Sequence, residues 1–364
     1  MKILFVCTVP TDNNGIANMI FNLLAAFDRE DMNIGYVAIN YPNLNHLKKL
    51  KDLNVRLYVL PRNLSNSLRY IVQLSKIAKE YDVVHVHGNS ATMLLEMMAA
   101  KLAGVSLRIA HSHSVSCLHK KFDKAARPLF HLLCNGRLAC SHNAGRWLFG
   151  NKEFKVINNG IETSKFTFNR AKREEIRGEL GIKNEFVIGN IANFIPEKNH
   201  IFLLRIFSSL LKTHPNTKLL LLGDGPLKER FEKEARSLNV ADKIMMPGCV
   251  NNPYDYINAI DLIVMPSLFE GLPLSLLEAQ SNGLNAVISS TISKEVNITG
   301  NIYFIPLDAP IEKWINTIIE MLHQTEKRTK SKSHYCIDKI LASGYDISQS
   351  AATLKSYYMS NLKY

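Results

Sequence analysis

Two glutamates in the second half of the chain stand in a pattern that suits a phosphorylated, hydroxyl-rich ligand. Glu270 and Gly271 follow an apolar strand predicted at 262–265, and Pro273 suits the first turn of the next helix. Glu278 then falls in the second turn of that helix. Free N–H groups at a helix start hold phosphate, and a glycine permits close backbone approach. The segment therefore predicts an anion site flanked by two carboxylates that accept hydrogen bonds from hydroxyl groups.

Four histidines occur in two closely spaced pairs, His85 with His87 and His111 with His113. Alternation along a strand puts His85 and His87 on one face of a sheet. The second pair ends a strand predicted at 107–110, at the edge where a ligand cleft would lie. Imidazole suits zinc, but no acidic or cysteine partner completes a ligand pattern. Buried structural histidines are the favoured interpretation, and no metal is expected.

Two glycine-containing loops could approach a phosphate. Gly15 ends the first loop and precedes a helix, so its backbone could reach a diphosphate, although turn geometry alone also accounts for it. The loop at 222–228 contains Gly223 and resembles a dinucleotide fingerprint. Its third glycine is replaced by Lys228, and the first strand-to-helix turn lacks the fingerprint altogether. NAD binding is therefore disfavoured, and no cofactor is expected.

The elements that must position these residues alternate between short aliphatic runs and segments of helical period. This alternation is typical of parallel sheets with crossover helices. The predicted strands of the first half are 2–7, 36–39, 55–60, 83–87, 107–110, 137–139 and 155–157. Those of the second half are 186–191, 218–222, 244–246, 262–265, 286–289 and 303–305. The fold class is therefore predicted to be α/β, with two doubly wound sheets.

Turn residues at 158–161 and a charged segment at 170–179 interrupt this alternation and indicate a domain boundary near residue 165. We expect an N-terminal Rossmann-like domain at 1–165 and a C-terminal one at 166–345. The last segment, 346–364, is expected to be a helix that packs back on the N-terminal domain. Ligands bind at the carboxyl ends of parallel strands, so the two domains are expected to face a central cleft.

Composition limits the class of protein. A chain of 364 residues is longer than one hydrophobic core usually organises, so two domains are expected. Its composition, with 46% hydrophobic and 21% charged residues, excludes both a disordered chain and a multi-span membrane protein. Six scattered cysteines form no zinc or disulfide pattern, and the apolar run at 2–7 is too short for a signal peptide, so a cytoplasmic location is expected. The net charge of +12 favours anionic partners.

Several motifs occur in an order that resembles a known family. Besides Gly15, they are 82–88 (DVVHVHG), 156–162 (VINNGIE), 196–199 (PEKN), 222–226 (LGDGP) and the two glutamates of 266–280 (PSLFEGLPLSLLEAQ). Over nearly its whole length the chain resembles the retaining GT-B glycosyltransferases that carry an E-x7-E donor motif. It looks most like the bacterial members that build exopolysaccharide, capsule or O-antigen units.

The resemblance implies a role for individual residues. Glu278 would bind the ribose hydroxyls of a nucleotide, and Glu270 would reach hydroxyls of the donor sugar. Lys198 matches the family lysine on the diphosphate, and His113 matches the histidine beside the anomeric carbon. The remaining donor contacts would come from backbone at Gly271 and Leu272, from the loop at Gly223, and from Val250 near the base.

One position departs from the family pattern. Five residues before Lys198 the family usually has an arginine, and this chain has Asn193. Asparagine donates hydrogen bonds but carries no charge, so one of two expected cations is missing. Arg108, Arg137 and Arg146 are candidates to replace it.

A basic amphipathic segment at 115–134 admits two interpretations. It mixes Leu118, Phe122 and Leu129 with lysines, and such a segment can lie on an anionic membrane face. It can equally be an ordinary crossover helix with a solvated face, because periodicity does not separate the two.

The prediction is a metal-independent retaining glycosyltransferase. It would move a hexose or N-acetylhexosamine from a nucleoside diphosphate sugar, expected to be UDP-linked, to a growing glycan. The acceptor is expected to be lipid-linked, and the enzyme peripheral on the inner face of the cell membrane. The alternatives are a UDP-sugar epimerase on the same fold and a non-catalytic relative that lost activity. Nucleic-acid binding ranks last because the chain lacks a recognition module.

Overall fold

The chain forms two compact units in the computed structural model. The structure describes residues 1–11, 15–62, 66–117, 119–323 and 328–362. Unit 1 comprises 1–160 and 346–364, and unit 2 comprises 161–345. The division lies between Gly160 and Ile161. The sequence pattern predicted a boundary near residue 165, a few residues later.

Unit 1 contains a seven-stranded sheet in which every pairing is parallel. Its strands are β1 (Lys2–Cys7), β2 (Asn33–Ala38), β3 (Arg56–Val59), β4 (Val83–Gly88), β5 (Leu107–Ser112), β6 (Gly136–Ala139) and β7 (Lys155–Val156). The order across the sheet is β3-β2-β1-β4-β5-β6-β7. The described helices that cover it are α1 (Gly15–Ala26), α2 (Leu44–Asp52), α3 (Ser67–Ala78), α4 (Leu94–Leu102), α5 (Lys120–Leu133) and α6 (His142–Phe149).

Strand alternation divides the apolar side chains of unit 1 between two layers. Ile3 and Phe5 of β1 join one hydrophobic cluster, and Leu4 and Val6 join the other. All four side chains are completely buried. A strand that is covered on both faces has apolar side chains at consecutive positions. The sequence of β1 could therefore be recognised as a strand.

Unit 2 contains a six-stranded parallel sheet. Its strands are β8 (Phe186–Ile191), β9 (Thr217–Leu222), β10 (Ile244–Gly248), β11 (Leu262–Met265), β12 (Asn285–Ser289) and β13 (Ile302–Ile305), in the order β10-β9-β8-β11-β12-β13. Its described helices are α7 (Arg170–Glu179), α8 (His200–Leu211), α9 (Lys228–Ser237), α10 (Pro253–Tyr256), α11 (Leu274–Ser281), α12 (Ile311–His323) and α13 (Lys330–Ala342).

The last helix, α14 (Ile347–Asn361), belongs to unit 1 and packs against α1. Its Leu354 and Tyr358 are completely buried in the cluster that contains Phe5. Among the described residues, no helix has the length and apolar content needed to cross a bilayer.

The predicted α/β class with two doubly wound sheets is confirmed, and each predicted strand is present. The largest error is at β2, which begins at Asn33 rather than at Tyr36. The first residues of this strand were not predicted because they include Gly35, and glycine is a poor strand former. A Cβ at Gly35 would lie 2.2 Å from the Tyr81 hydroxyl, so close packing accounts for the glycine.

Candidate active site

The carboxyl edge of the unit 2 sheet has a topological switch point. From β8 the chain proceeds to β9 and β10 on one side, and to β11, β12 and β13 on the other. The loops after β8 and β11 therefore leave adjacent strand ends in opposite directions. Such a crevice is where open parallel sheets bind ligands. The loop after β8 carries Asn193 and Lys198, and the loop after β11 carries Glu270.

Backbone and side-chain hydrogen bonds tie these two loops together. The Leu268 amide donates to the Glu197 carbonyl at 2.7 Å, and Asn199 Nδ2 donates to the Pro266 carbonyl at 3.1 Å. Asn199 has a φ of 54°, a left-handed conformation that asparagine tolerates better than most residues. These hydrogen bonds hold the two loops in register.

Lys198 and Glu270 form an ion pair across the switch point. Their side chains are 20% and 15% exposed, and Ser267 Oγ donates to Glu270 Oε1 at 3.3 Å. The pair places an ammonium group and a carboxylate side by side at the sheet edge. The first is suited to a phosphate oxygen, and the second to a sugar hydroxyl.

Glu278 lies in the second turn of α11, as predicted. Burial raises the pKa of its carboxyl group to about 7. In the loop just before this helix Gly271 is exposed and Leu272 is half-buried, and a Cβ at Gly271 would meet open space. The backbone at Gly271 is therefore open to close approach by a ligand.

The loop after β9 packs backbone to backbone against the loop after β8. Gly223 has a φ of 147°, and a Cβ there would lie 2.1 Å from the Ala192 carbonyl oxygen. The Phe194 amide donates to the Asp224 carbonyl at 3.0 Å. A side chain at Gly223 would separate the loops, so the glycine has a structural reason in addition to its predicted ligand role. Asn193 is half-buried in this contact.

Val250 follows β10, is half-buried, and packs against the apolar cluster of unit 2. Its neighbour Cys249 is exposed. The structure therefore puts Val250 partly into the core, with only part of its side chain left for a nucleotide base.

The four histidines lie in and just after two adjacent strands of unit 1, with His85 and His87 in β4, His111 near the end of β5, and His113 just after it. His85 Nε2 lies 3.2 Å from His111 Nδ1, and His87 Nδ1 lies 3.0 Å from His113 Nε2. The ring centroids of His85 and His87 are 4.1 Å apart, and those of His111 and His113 are 4.3 Å apart. We call this arrangement of two hydrogen-bonded pairs, one stacked on the other, the imidazole array.

Burial keeps the imidazole array neutral. It lowers the pKa of His113 to about 3 and lowers the pKa of His85, His87 and His111 well below the ordinary histidine value. Ligand atoms of His85, His87 and His111 lie within 4.8 Å of one another, so these three could hold a metal ion. The absence of a resident metal stays a prediction.

The array also contains a residue that sequence reasoning missed. The Tyr358 hydroxyl lies 2.6 Å from His85 Nδ1, so α14 contributes a hydrogen bond to the array. Alternating histidines in two consecutive strands were the available signal for a cluster. Nothing in the sequence indicated that a residue about 270 positions later would join it.

Gly15 is the first residue of α1, and a Cβ there would meet open space. Asn13 and Asn14, which precede it, lie outside the described residues. Open space at Gly15 is compatible with either interpretation of this glycine, ligand approach or turn geometry.

The three arginines considered as replacements for the missing family cation are engaged within unit 1. Arg108 lies near the start of β5, away from the carboxyl edge, and donates to the carbonyls of Leu133 and Val105 at 2.8 and 2.7 Å. Arg137, near the start of β6, donates to the Cys134 carbonyl at 3.2 Å. Arg146 donates to Asn151 Oδ1 at 3.4 Å. Arg108 and Arg137 are therefore wrong candidates, because their guanidinium groups bind carbonyl groups at the amino edge of the sheet.

Two doubly wound parallel sheets in one chain are the architecture of the GT-B class of glycosyltransferases. The sequence model of "Glycosyltransferase Family 4" matches residues 13–165, and that of "Glycosyl transferases group 1" matches residues 172–334. The chain therefore belongs to the GT-B glycosyltransferases.

Relatives of known name are similar over most of the chain. A Bacillus subtilis protein named as glycosyltransferase EpsF is 29% identical, covering 95% of this chain and 94% of its own. An Escherichia coli UDP-Gal:alpha-D-GlcNAc-diphosphoundecaprenol alpha-1,3-galactosyltransferase is 27% identical, covering 85% of this chain and 84% of its own. The capsular polysaccharide biosynthesis glycosyltransferase CapH of Staphylococcus aureus is 28% identical over 86% of each chain.

Solved structures share the fold at lower identity. Anabaena HepE in complex with UDP has a TM-score of 0.80 at 18% identity, covering 99% of this chain and 100% of its own. The lipopolysaccharide outer core galactosyltransferase WaaB has a TM-score of 0.69 at 17% identity, with both chains covered completely.

Proposed function

We propose that this glycosyltransferase transfers a hexose or N-acetylhexosamine from a UDP-sugar to a lipid-linked glycan, with retention of configuration at the anomeric carbon. The product would be a unit of a bacterial surface polysaccharide. The names of the relatives support this substrate class, since they include a capsular polysaccharide enzyme and an enzyme that acts on a diphosphoundecaprenol-linked sugar.

The observation that carries the proposal is the geometry of the unit 2 edge. Lys198 and Glu270 are paired across the switch point, and Glu278 is largely desolvated on the helix that follows. A nucleoside diphosphate sugar offers groups that match each of them. The ribose diol donates to Glu278, the diphosphate accepts from Lys198, and the sugar hydroxyls donate to Glu270.

In the proposed reaction the acceptor hydroxyl oxygen attacks the anomeric carbon from the face that the diphosphate leaves. The bond between the anomeric carbon and the diphosphate oxygen breaks, and the acceptor proton passes to that departing oxygen. Lys198 stabilises the charge that builds on the leaving group. For His113 we propose the role that the family resemblance implies, contact with the donor sugar and shielding of the developing oxocarbenium ion.

The surface of α5 supports an acceptor presented at a membrane. Phe122, Ala125, Leu129 and Leu132 form an exposed apolar stripe at helical spacing. Leu118, which the sequence assigned to the same apolar face, lies outside the described residues. Since the lysines of α5 are also exposed, the helix suits an anionic bilayer surface on the inner face of the cell membrane.

The test begins with binding. The purified protein is titrated by calorimetry with UDP, GDP and ADP in the absence of divalent metal, and the best ligand is repeated with Glu278→Ala. We expect selective UDP binding that the substitution weakens at least about tenfold. The reason is that the two ribose hydroxyls lose their hydrogen bonds to the Glu278 carboxylate. The protein is then incubated with a panel of UDP-sugars and a polyprenyl-diphosphate-linked acceptor, and the anomeric configuration of the product is read by NMR.

Each rival has its own outcome in this test. An epimerase converts UDP-N-acetylglucosamine without an acceptor. A non-catalytic relative gives no transfer, so neither Glu270→Ala nor His113→Ala changes any measurable rate. A product of inverted configuration contradicts the proposed stereochemistry while leaving sugar transfer intact.

A further inference from the structure

The inference concerns two hydroxyl groups beside the loop that carries Glu270. Ser289 is the last residue of β12 and is completely buried, whereas Thr291 lies two residues further on and is exposed. Both belong to the segment 289–292, which we call the β12 loop. Because β12 lies next to β11 in the sheet, this loop leaves the carboxyl edge beside the loop with Glu270.

Both hydroxyl groups contact one backbone carbonyl in the neighbouring loop. Ser289 Oγ lies 2.6 Å and Thr291 Oγ1 lies 2.8 Å from the Ser267 carbonyl oxygen. The backbone ladder between β11 and β12 ends at Met265, and the next residue is Pro266, which has no N–H to donate. At Ser267 the two chain segments are therefore joined by side-chain hydroxyl groups.

The number of protons decides how these groups are connected. Ser289 Oγ and Thr291 Oγ1 are also 2.8 Å apart, so three oxygen–oxygen contacts share two hydroxyl protons. If both protons went to the carbonyl, the two hydroxyl oxygens would face each other with no proton between them. The favoured arrangement is a chain, in which one hydroxyl donates to the carbonyl and the other donates to the first. Either hydroxyl can stand next to the carbonyl, because both lie within hydrogen-bond distance of it.

Ser267 connects this chain of hydroxyl groups to the candidate site. Ser267 is completely buried, and its Oγ donates to Glu270 Oε1 at 3.3 Å. This hydrogen bond is long, so a small displacement of Ser267 would break it. The β12 loop also holds the backbone of Glu270, through a parallel β-bridge with Ile292, which is 1% exposed in the core of unit 2. The side chain and the backbone of Glu270 thus both depend on the β12 loop.

We propose that Ser289 and Thr291 are positioning residues for sugar transfer: they fix Ser267, and through it the Glu270 carboxylate, and either hydroxyl alone is sufficient. The inference rests on the proposed function, in which Glu270 accepts hydrogen bonds from the donor sugar. A misplaced carboxylate loses much of its effect on the rate, since transfer requires accurate positioning. Each hydroxyl is thus expected to compensate for the loss of the other.

A double-mutant cycle tests this redundancy. Ser289→Ala and Thr291→Val each leave one hydroxyl in contact with the Ser267 carbonyl, so each should lower kcat/KM for the UDP-sugar by less than about threefold. The double variant leaves the carbonyl without either donor and should lower kcat/KM by about thirtyfold, more than the product of the single effects. Ser289→Ala combined with Thr291→Ser keeps the second hydroxyl and should behave as Ser289→Ala alone.

Three further measurements separate positioning of Glu270 from general support of the fold. In the double variant the affinity for UDP should change by less than about twofold, because the proposed contact of Glu270 is with the sugar. In a Glu270→Gln background the double substitution should lower kcat/KM by less than about twofold further, because the group that it positions is already altered. Ser290→Ala is the matched control, since it removes an exposed hydroxyl from the same loop and should change neither quantity.

Hydrogen exchange examines the same link without relying on activity. The Leu268 amide, which donates to the Glu197 carbonyl at 2.7 Å, should exchange about tenfold faster in the double variant and at nearly the wild-type rate in either single variant. Additive single effects, a UDP affinity that falls as far as kcat/KM, or unchanged exchange in the double variant would each overturn the inference. If the wild type transfers no sugar, the proposed function fails, and the exchange measurement still decides whether the two hydroxyl groups fix Ser267.

Discussion

Glu278 combines burial with a position on the helix that begins at the proposed donor site. A carboxyl group with a pKa of about 7 is about half protonated at neutral pH. Only its ionised form accepts hydrogen bonds with both oxygens. The same burial that makes ionisation unfavourable strengthens those hydrogen bonds once the group is charged, since the surrounding dielectric is low.

We therefore expect the affinity for a UDP-sugar to rise with pH. Binding to the ionised form lowers the pKa of Glu278, so affinity must increase as the pH passes through about 7 and level off above it. One unit below that pKa the affinity should be about tenfold weaker than its plateau. Calorimetric titration between pH 6 and pH 8.5 measures this directly.

The ligand and the control are chosen to isolate Glu278 in this titration. An intact UDP-sugar is used because the terminal phosphate of free UDP itself titrates near pH 6. Glu278→Gln should bind more weakly and lose the pH dependence, because its amide does not ionise. A pH-independent affinity in the wild type would contradict the proposed ribose contact.

At the scale of elements, parallel strands were predictable and the side-chain clusters between them were not. Strands such as β8 and β11 are covered on both faces, so their apolar runs are visible in the sequence. The imidazole array depends on the register of β4 against β5, which sets His87 opposite His111. Register between strands that are separated by a helix leaves no local pattern in the chain.

The same limit applies at the unit 2 edge. The spacing of Glu270 and Glu278 identified a candidate anion site, because a strand, a loop and a helix start are local features. The ion pair between Lys198 and Glu270 required the order in which β8 and β11 pack side by side. The sequence therefore predicted candidate site residues, and the contact between Lys198 and Glu270 is visible only in the fold.

Helix α5 was predicted as basic and amphipathic, and its burial pattern refines that prediction. The face that packs on unit 1 contains Asp123 and Phe130, and Asp123 Oδ1 accepts from the Ala91 amide at 2.8 Å. Asp123 also forms an ion pair with Arg127. Phe122 and Leu129 are left 42% and 43% exposed. The helix is thus anchored by one face and presents a second apolar stripe outward.

This stripe predicts binding to anionic vesicles. Phe122→Ser combined with Leu129→Ser should weaken binding to vesicles containing phosphatidylglycerol by at least about tenfold, because two apolar side chains no longer enter the bilayer surface. Cosedimentation at several salt concentrations measures the effect, and binding should fall as salt rises. Leu68→Ser on α3 is the matched control, since Leu68 is 78% exposed on another helix of the same unit. Equal loss in both variants would contradict a specific role for α5.

At the scale of the whole molecule, the chain passes between the two units twice. It leaves unit 1 after Gly160 and returns at Asp346. A Cβ at Gly160 would lie 2.5 Å from the Asp346 carbonyl carbon, so the glycine allows the two passages to run side by side. Ser350 Oγ donates to the Asn158 carbonyl at 2.9 Å and fastens the returning segment to unit 1. The last helix is consequently part of the N-terminal fold, although it lies at the other end of the sequence.

This topology predicts that a core substitution in α14 is felt in unit 1. Leu354 is completely buried in the cluster that contains Phe5 and Tyr358, so Leu354→Ala should cost about 2–5 kcal/mol of unfolding free energy. Hydrogen exchange should show the lost protection in β1, β4 and α1, whose side chains form that cluster, as well as in α14 itself. Met359→Ala on the same helix is the control, because Met359 is 63% exposed and its truncation opens no cavity. Lost protection confined to α14 would mean that the helix is a detachable appendage; loss spreading to the strands that carry the imidazole array would make the end of the chain a structural support for the proposed active site.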